Sequence, residues 1–90
     1  IRHYIMEELV LKLKEQIIEA LRLDDLTPEE IDSQAPLFGD GLGLDSIDAL
    51  EIIVLLEKQY GIRLANAAEG KTIFTNIDNI AKYVYENRKK

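Results

Sequence analysis

The 90-residue chain contains no cysteine and no tryptophan, a single histidine and only two prolines. The absence of cysteine excludes a disulfide framework and a thiolate metal site. A hydrophobic core must therefore hold the fold unaided, which is feasible but marginal at this length. Aromatic residues make up 7% of the chain against 47% hydrophobic residues in all, so that core is expected to be aliphatic. No apolar run approaches the ~20 residues of a membrane span. The apolar residues near the start are interrupted by Arg2, His3, Glu7 and Glu8, so no signal peptide is read there and a cytoplasmic location is expected. Positive charge is scarce as well: 11 Lys and Arg stand against 17 Asp and Glu, a net charge of −6. Such a surface repels a phosphate backbone, which argues against nucleic-acid binding and favours partners with basic patches.

What is present is helical periodicity. Val10, Leu13, Ile17 and Leu21 recur at spacings of three and four, predicting a helix over about 7–23 with Glu7 and Glu8 in its first turn. A long connection, 24–44, holds both prolines and three of the five glycines, and Ile31, Leu37, Phe38 and Leu42 can pin it to the core. Thr27-Pro28-Glu29-Glu30 inside it is a helix-start signature, with Thr27 as cap and Glu30 reaching back. A second helix is predicted over 45–60, stopped by Gly61. After an irregular stretch with one helical turn near 65–68, a last helix is predicted from Thr75, with Asp78 completing a capping box and Ile77, Ile80, Ala81 and Val84 as its inner stripe. Arg88, Lys89 and Lys90 follow with the charge a helix C-terminus prefers. The expected architecture is all-α: a small bundle of three principal helices plus one or two short helical turns. It forms a single domain over residues 6–88. Residues 1–5 are expected to be an added remnant or a frayed end, with Met6 the natural start.

The second helix carries two apolar faces. At about 100° per residue, Ala49, Ile52, Ile53, Leu56 and Tyr60 fall in one arc free of charge, the core face. Ile47, Leu50 and Val54 form a second stripe on the other side, interleaved with Glu51, Glu57 and Lys58. That stripe reads equally as ordinary exposed apolar residues or as a docking surface edged by acids. Ser46 lies between the arcs at the helix start, behind an Asp45 cap and a glycine-rich loop; by position alone it is an ordinary helix-start serine.

Other site chemistries fail on inventory. A serine hydrolase needs a base, but His3 is the only histidine and no G-x-S-x-G elbow exists. The 40–51 segment has the length and end residues of a calcium loop, yet Leu42 and Leu44 stand where oxygen ligands are needed and Asp45 replaces the turn glycine. Gly39, Gly41 and Gly43 lack the lysine and hydroxyl that end a phosphate loop. Asp40, Asp45, Asp48 and Glu51 read as a solvated acidic edge. Neither a catalytic set nor a metal site is expected.

The segment Gly41-Leu42-Gly43-Leu44-Asp45-Ser46-Ile47, followed by Asp48, Glu51 and an apolar run, resembles the acyl carrier protein family, whose Asp-Ser-Leu motif opens its second helix. The likeness extends over about 6–87, close in layout to the discrete carriers of fatty-acid and polyketide synthesis. It implies that Ser46 carries 4′-phosphopantetheine, attached covalently from coenzyme A by a phosphopantetheinyl transferase, with Asp45 as the helix cap beside it. Acyl groups then ride on the arm's thiol as thioesters. This agrees with two features of the chain: without cysteine, any thioester chemistry needs a borrowed thiol, and a serine without a base needs another enzyme to activate it. The carrier itself catalyses nothing. The resemblance further implies that Ile47, Leu50 and Val54 meet apolar patches, and Asp45, Asp48, Glu51 and Glu57 basic patches, on acyl-transferring and chain-extending synthase enzymes, the carrier being a monomer. It also implies that a growing chain is sheltered among Ile52, Ile53, Leu56 and Ile80. Three departures are present: Ile47 for the usual leucine, Lys58 where an acid is common, and 63–71 in place of an acidic segment. They point to a carrier of a specialised pathway, polyketide-like, aryl-polyene-like or loading aminoacyl units. A carrier-like interaction module without the arm is the competing reading.

Overall fold

The computed structural model describes residues 2–39 and 41–89, with side chains from residue 5 onward. Four α-helices run in the order α1 (Arg2–Leu21), α2 (Ser46–Tyr60), α3 (Ala67–Ile73) and α4 (Ile77–Asn87), with a 3₁₀ turn, Pro28–Glu30, in the long connection. Among the described residues there is no strand, only an isolated bridge between Phe38 and Leu44. α1 packs on α2 and α4, and α3 packs on α2 and touches α4. The shortest dimension, 19 Å, is about two helix diameters, so the molecule is a two-layer slab.

Helix α1 begins at Arg2, so its first turn holds no acid and Glu7 and Glu8 lie one turn further in. The helix stops at Leu21 because Arg22 turns left-handed (φ 55°) and the Leu23 amide donates back to the Ile18 carbonyl at 2.9 Å. Leu9, Leu13 and Ile17 are its buried stripe, with Val10 and Leu21 half-buried beside them. The 3₁₀ turn keeps the expected cap. Glu30 reaches back as expected: its Oε1 accepts from the Thr27 amide at 2.9 Å and from the Thr27 hydroxyl at 3.1 Å.

The core is aliphatic, with Phe74 and Tyr60 its aromatic members. Ile77, Ile80, Ala81 and Val84 are fully buried on α4, as the periodicity predicts. The α4 cap is Asn76 rather than Thr75: Asn76 Oδ1 accepts from the Asn79 amide at 2.7 Å. α3 is two turns long, not one, and is capped by Asn66, whose Oδ1 accepts from Glu69 N at 2.9 Å. Its Gly70 is buried; a Cβ there would stand 3.0 Å from the Phe74 ring and 3.1 Å from Ile53 Cδ1, so the missing side chain sets how closely α3 approaches α2. No buried side-chain polar atom among the described residues lacks a partner.

Candidate functional site

The start of α2 is fixed from both sides. Asp45 has an extended backbone and its Oδ1 accepts from the amides of Ile47 (3.0 Å) and Asp48 (3.1 Å), while Asp48 Oδ2 accepts from the Asp45 amide at 2.9 Å. This reciprocal capping box uses two of the orphan amides of the first turn. Asp48, expected on a solvated acidic edge that meets partners, is half-buried here. Ser46, the first helical residue, is exposed.

The loop before it is tied down by backbone hydrogen bonds that reach across the fold. Leu44 N donates to the Leu37 carbonyl and Leu37 N to the Thr75 carbonyl, both at 3.1 Å. Leu42 N donates to the Pro36 carbonyl at 3.3 Å, and a side chain at Gly41 would overlap that same carbonyl, so only glycine closes this loop. Leu37 and Leu44 are buried beneath it. Asp40 lies outside the described residues, so the 40–51 calcium-loop comparison and its place in the acidic edge have no structural counterpart here. Among the described residues no group of three His, Cys, Asp or Glu side chains is placed to hold a metal ion.

One open groove, about 740 Å³, flanks Ser46 on the side of the α3–α4 junction. Pro36, Phe38 and Leu44 give it apolar surface, Gln34, Thr75 and Asn76 give it amide and hydroxyl groups, and Lys71 gives it a cation whose ammonium lies 6.0 Å from the centre of the Phe38 ring.

The other side of α2 presents the second stripe as expected. Ile47 is 69% exposed, Leu50 51% and Val54 44%, with Glu51 exposed among them. The core face is broader than the charge-free arc. Ala49, Ile52, Leu56 and Tyr60 are buried and Ile53 is half-buried, but Leu55, outside that arc, is buried too. At the far end of α2, Glu57 is not an unpaired acid: its Oε1 lies 3.6 Å from Arg63 Nε, both side chains well exposed. Tyr60 donates its hydroxyl to Gln16 Oε1 at 2.6 Å, and burial pushes that hydroxyl above its ordinary range against the smaller opposing pull of the Arg88 charge. Lys71, Gly70 and the groove are absent from the sequence reading as site features. Lys71 figures there only as part of a segment that departs from acidity.

The start of α2 thus presents an exposed hydroxyl on a capped helix, with two carboxylates beside it and a mixed polar and apolar groove next to it. The family model described as "Phosphopantetheine attachment site" matches residues 11–84. The chain is 32% identical over 74 residues to the acyl carrier protein of Helicobacter pylori, covering 80% of this chain and 85% of that protein. It is 29% identical over 76 residues to the acyl carrier protein of Wolinella succinogenes, covering 84% and 92%. Over 56 residues it is 45% identical to the polyketide-8 synthase acyl carrier protein 2 of Streptomyces avermitilis, covering 62% and 60%. The chain belongs to the phosphopantetheine-attachment family, as an acyl carrier protein whose prosthetic group is covalent 4′-phosphopantetheine. The groove fits such a group chemically: a cation for the phosphodiester, amides and a hydroxyl for the arm's own amides, and apolar surface for its methyl groups. No helix among the described residues is long and apolar enough to cross a membrane.

Proposed function

We propose that Ser46 is the residue that carries the arm, within a carrier domain spanning 6–88, and that the chain supplies no catalysis of its own. The observation that carries this reading is the contrast between its two serines. Ser46 is exposed at the capped start of α2, whereas Ser33 is half-buried in a loop whose carbonyl accepts from the Asp78 amide at 3.0 Å. When bound, the arm supplies a thiol that holds acyl groups as thioesters. The chain's residues present the attachment oxygen: Asp45 and Asp48 fix the helix start, Gly41 closes the loop behind it, and Leu37 and Leu44 anchor that loop.

Ile47, Leu50 and Val54 are the apolar part of the partner face and Asp45, Asp48 and Glu51 its acidic part, presented to basic patches on a phosphopantetheinyl transferase and on acyl-transferring and chain-extending synthase enzymes. Small contact area with charge steering suits a carrier that must leave each enzyme for the next. Glu57 belongs to this face only when a partner's cation displaces Arg63, which costs little because exposed ion pairs contribute ~0–1 kcal/mol. The identity with a polyketide-synthase carrier, and Arg63 and Lys71 where an acidic segment is usual, support a specialised pathway.

The test is intact mass before and after incubation with a broad-specificity phosphopantetheinyl transferase, magnesium and coenzyme A. The wild type and Ser33→Ala gain one phosphopantetheine; Ser46→Ala gains none and keeps its helical circular dichroism. Modification persisting in Ser46→Ala refutes the site. No gain in folded, initially unmodified wild type favours an interaction module without the arm.

A further inference from the structure

The groove beside Ser46 has a polarity that the partner face lacks. The acids of the site, Asp45 and Asp48, are engaged with backbone amides of the helix start, and the stripe residues Ile47, Leu50 and Val54 contribute nothing to the groove's lining. Its cation is Lys71, whose side chain is exposed, lies over the Phe38 ring and has no described carboxylate within ion-pair distance. Asn76 spends its Oδ1 on the Asn79 amide, which leaves its side-chain NH₂ as a donor at the groove. A phosphodiester on Ser46 would stand next to two carboxylates, and the side-chain cation in the groove's lining that can offset its charge is Lys71.

We infer that this groove is the resting berth of the chain's own phosphopantetheine arm, with Lys71 the positioning cation that holds the phosphodiester and Phe38 the apolar surface beneath it. The inference rests on Ser46 being the attachment residue. A berth on the α3 side leaves the Ile47–Leu50–Val54 face uncovered, so a partner can dock before the arm moves. An exposed ammonium and phosphate pair is weak and screened by salt, so the arm leaves the berth readily for a partner's site. The segment that departs from the acidic pattern thereby acquires a role: its lysine acts on the arm rather than on the partner.

The test compares ¹⁵N-labelled apo and holo protein by two-dimensional amide spectra, on samples whose mass has been checked. Loading is expected to move the amides of Phe38, Lys71, Thr75 and Asn76 together with those of 45–48, and to give cross-relaxation between the geminal methyls of the arm and the Phe38 ring. In Lys71→Ala the movement at Phe38 and 71–76 falls by more than half while that at 45–48 stays; Lys71→Arg restores it. Lys71 is exposed and alanine is a strong helix former, so the fold survives the change. A mass gain with wild-type movement confined to 45–48, or with groove movement unchanged in Lys71→Ala, overturns the berth and leaves the attachment site standing. Absence of a mass gain overturns both.

Discussion

The two faces of α2 are built from the same aliphatic residue types and differ sharply in burial. Ile52 and Leu56 are 0% exposed and lie within the core, whereas Ile47, Leu50 and Val54 are about half exposed or more. Hydrophobicity therefore does not tell the faces apart; phase does. One face supplies burial free energy, ~1.5–3 kcal/mol for each fully buried aliphatic side chain. The other keeps apolar surface in water, which adds little to the isolated fold and, in the function proposed above, is what a partner covers.

The sharpest way to break this comparison is the same substitution on each face. Leu56→Ala is expected to cost about 2–5 kcal/mol, because it opens a cavity in a packed interior. Leu50→Ala is expected to cost less than about 0.5 kcal/mol. Urea denaturation of both variants measures the difference. Equal costs would mean that the second stripe belongs to the core.

Much of this arrangement was legible in the sequence, and the misses have physical causes. The α4 stripe and the Asp45 and Gly61 ends of α2 are local signals: a 3.6-residue period, a cap side chain, and a glycine at φ 67° whose amide donates to the Glu57 carbonyl. Leu55 was missed because a charge-free arc is narrower than the face a helix buries when neighbours pack on both flanks. α3 was underestimated because Gly70 weakens its helix signal, although Asn66 and Glu69 stood at capping spacing and Glu69 Oε2 does accept from the Ala65 amide at 3.2 Å. Thr75 and Asn76 are both capable caps, and only the tertiary fold uses the Thr75 carbonyl to accept from Leu37. The groove beside Ser46 joins 34–38 to 71–76, a junction no local pattern encodes.

At the C-terminal end of the buried face, Tyr60 offers a smaller and pH-dependent effect. Tyr60→Phe keeps the ring in the core and removes the bond to Gln16, an expected loss of about 1 kcal/mol at neutral pH. The folded hydroxyl ionises above the ordinary tyrosine value of 10.0, mainly because it is buried. A raised folded pKa gives stability that is present below the unfolded value and is lost as pH rises through the folded one. The wild-type advantage over Tyr60→Phe should therefore shrink above about pH 10. Thermal melts of the pair at pH 7 and pH 10.5 check the sign; an advantage that grows with pH would mean the hydroxyl ionises more easily in the fold.

The smallest expected effect on the fold belongs to Glu51, and it separates the two faces most cleanly. Glu51 is exposed on α2 among the stripe residues, so Glu51→Lys should move stability by less than about 0.5 kcal/mol. If the stripe is the partner face, the same change places a cation where basic patches must approach. Loading by the transferase should then slow by about tenfold at low salt, the deficit narrowing as salt is added because steering between exposed charges is screened. Glu57→Lys should do less, since Arg63 already lies against Glu57 and removes much of its pull. Loading rates for the two variants at two salt concentrations order these positions. A larger deficit for Glu57→Lys would move the centre of the docking face to the far end of α2, away from Ser46.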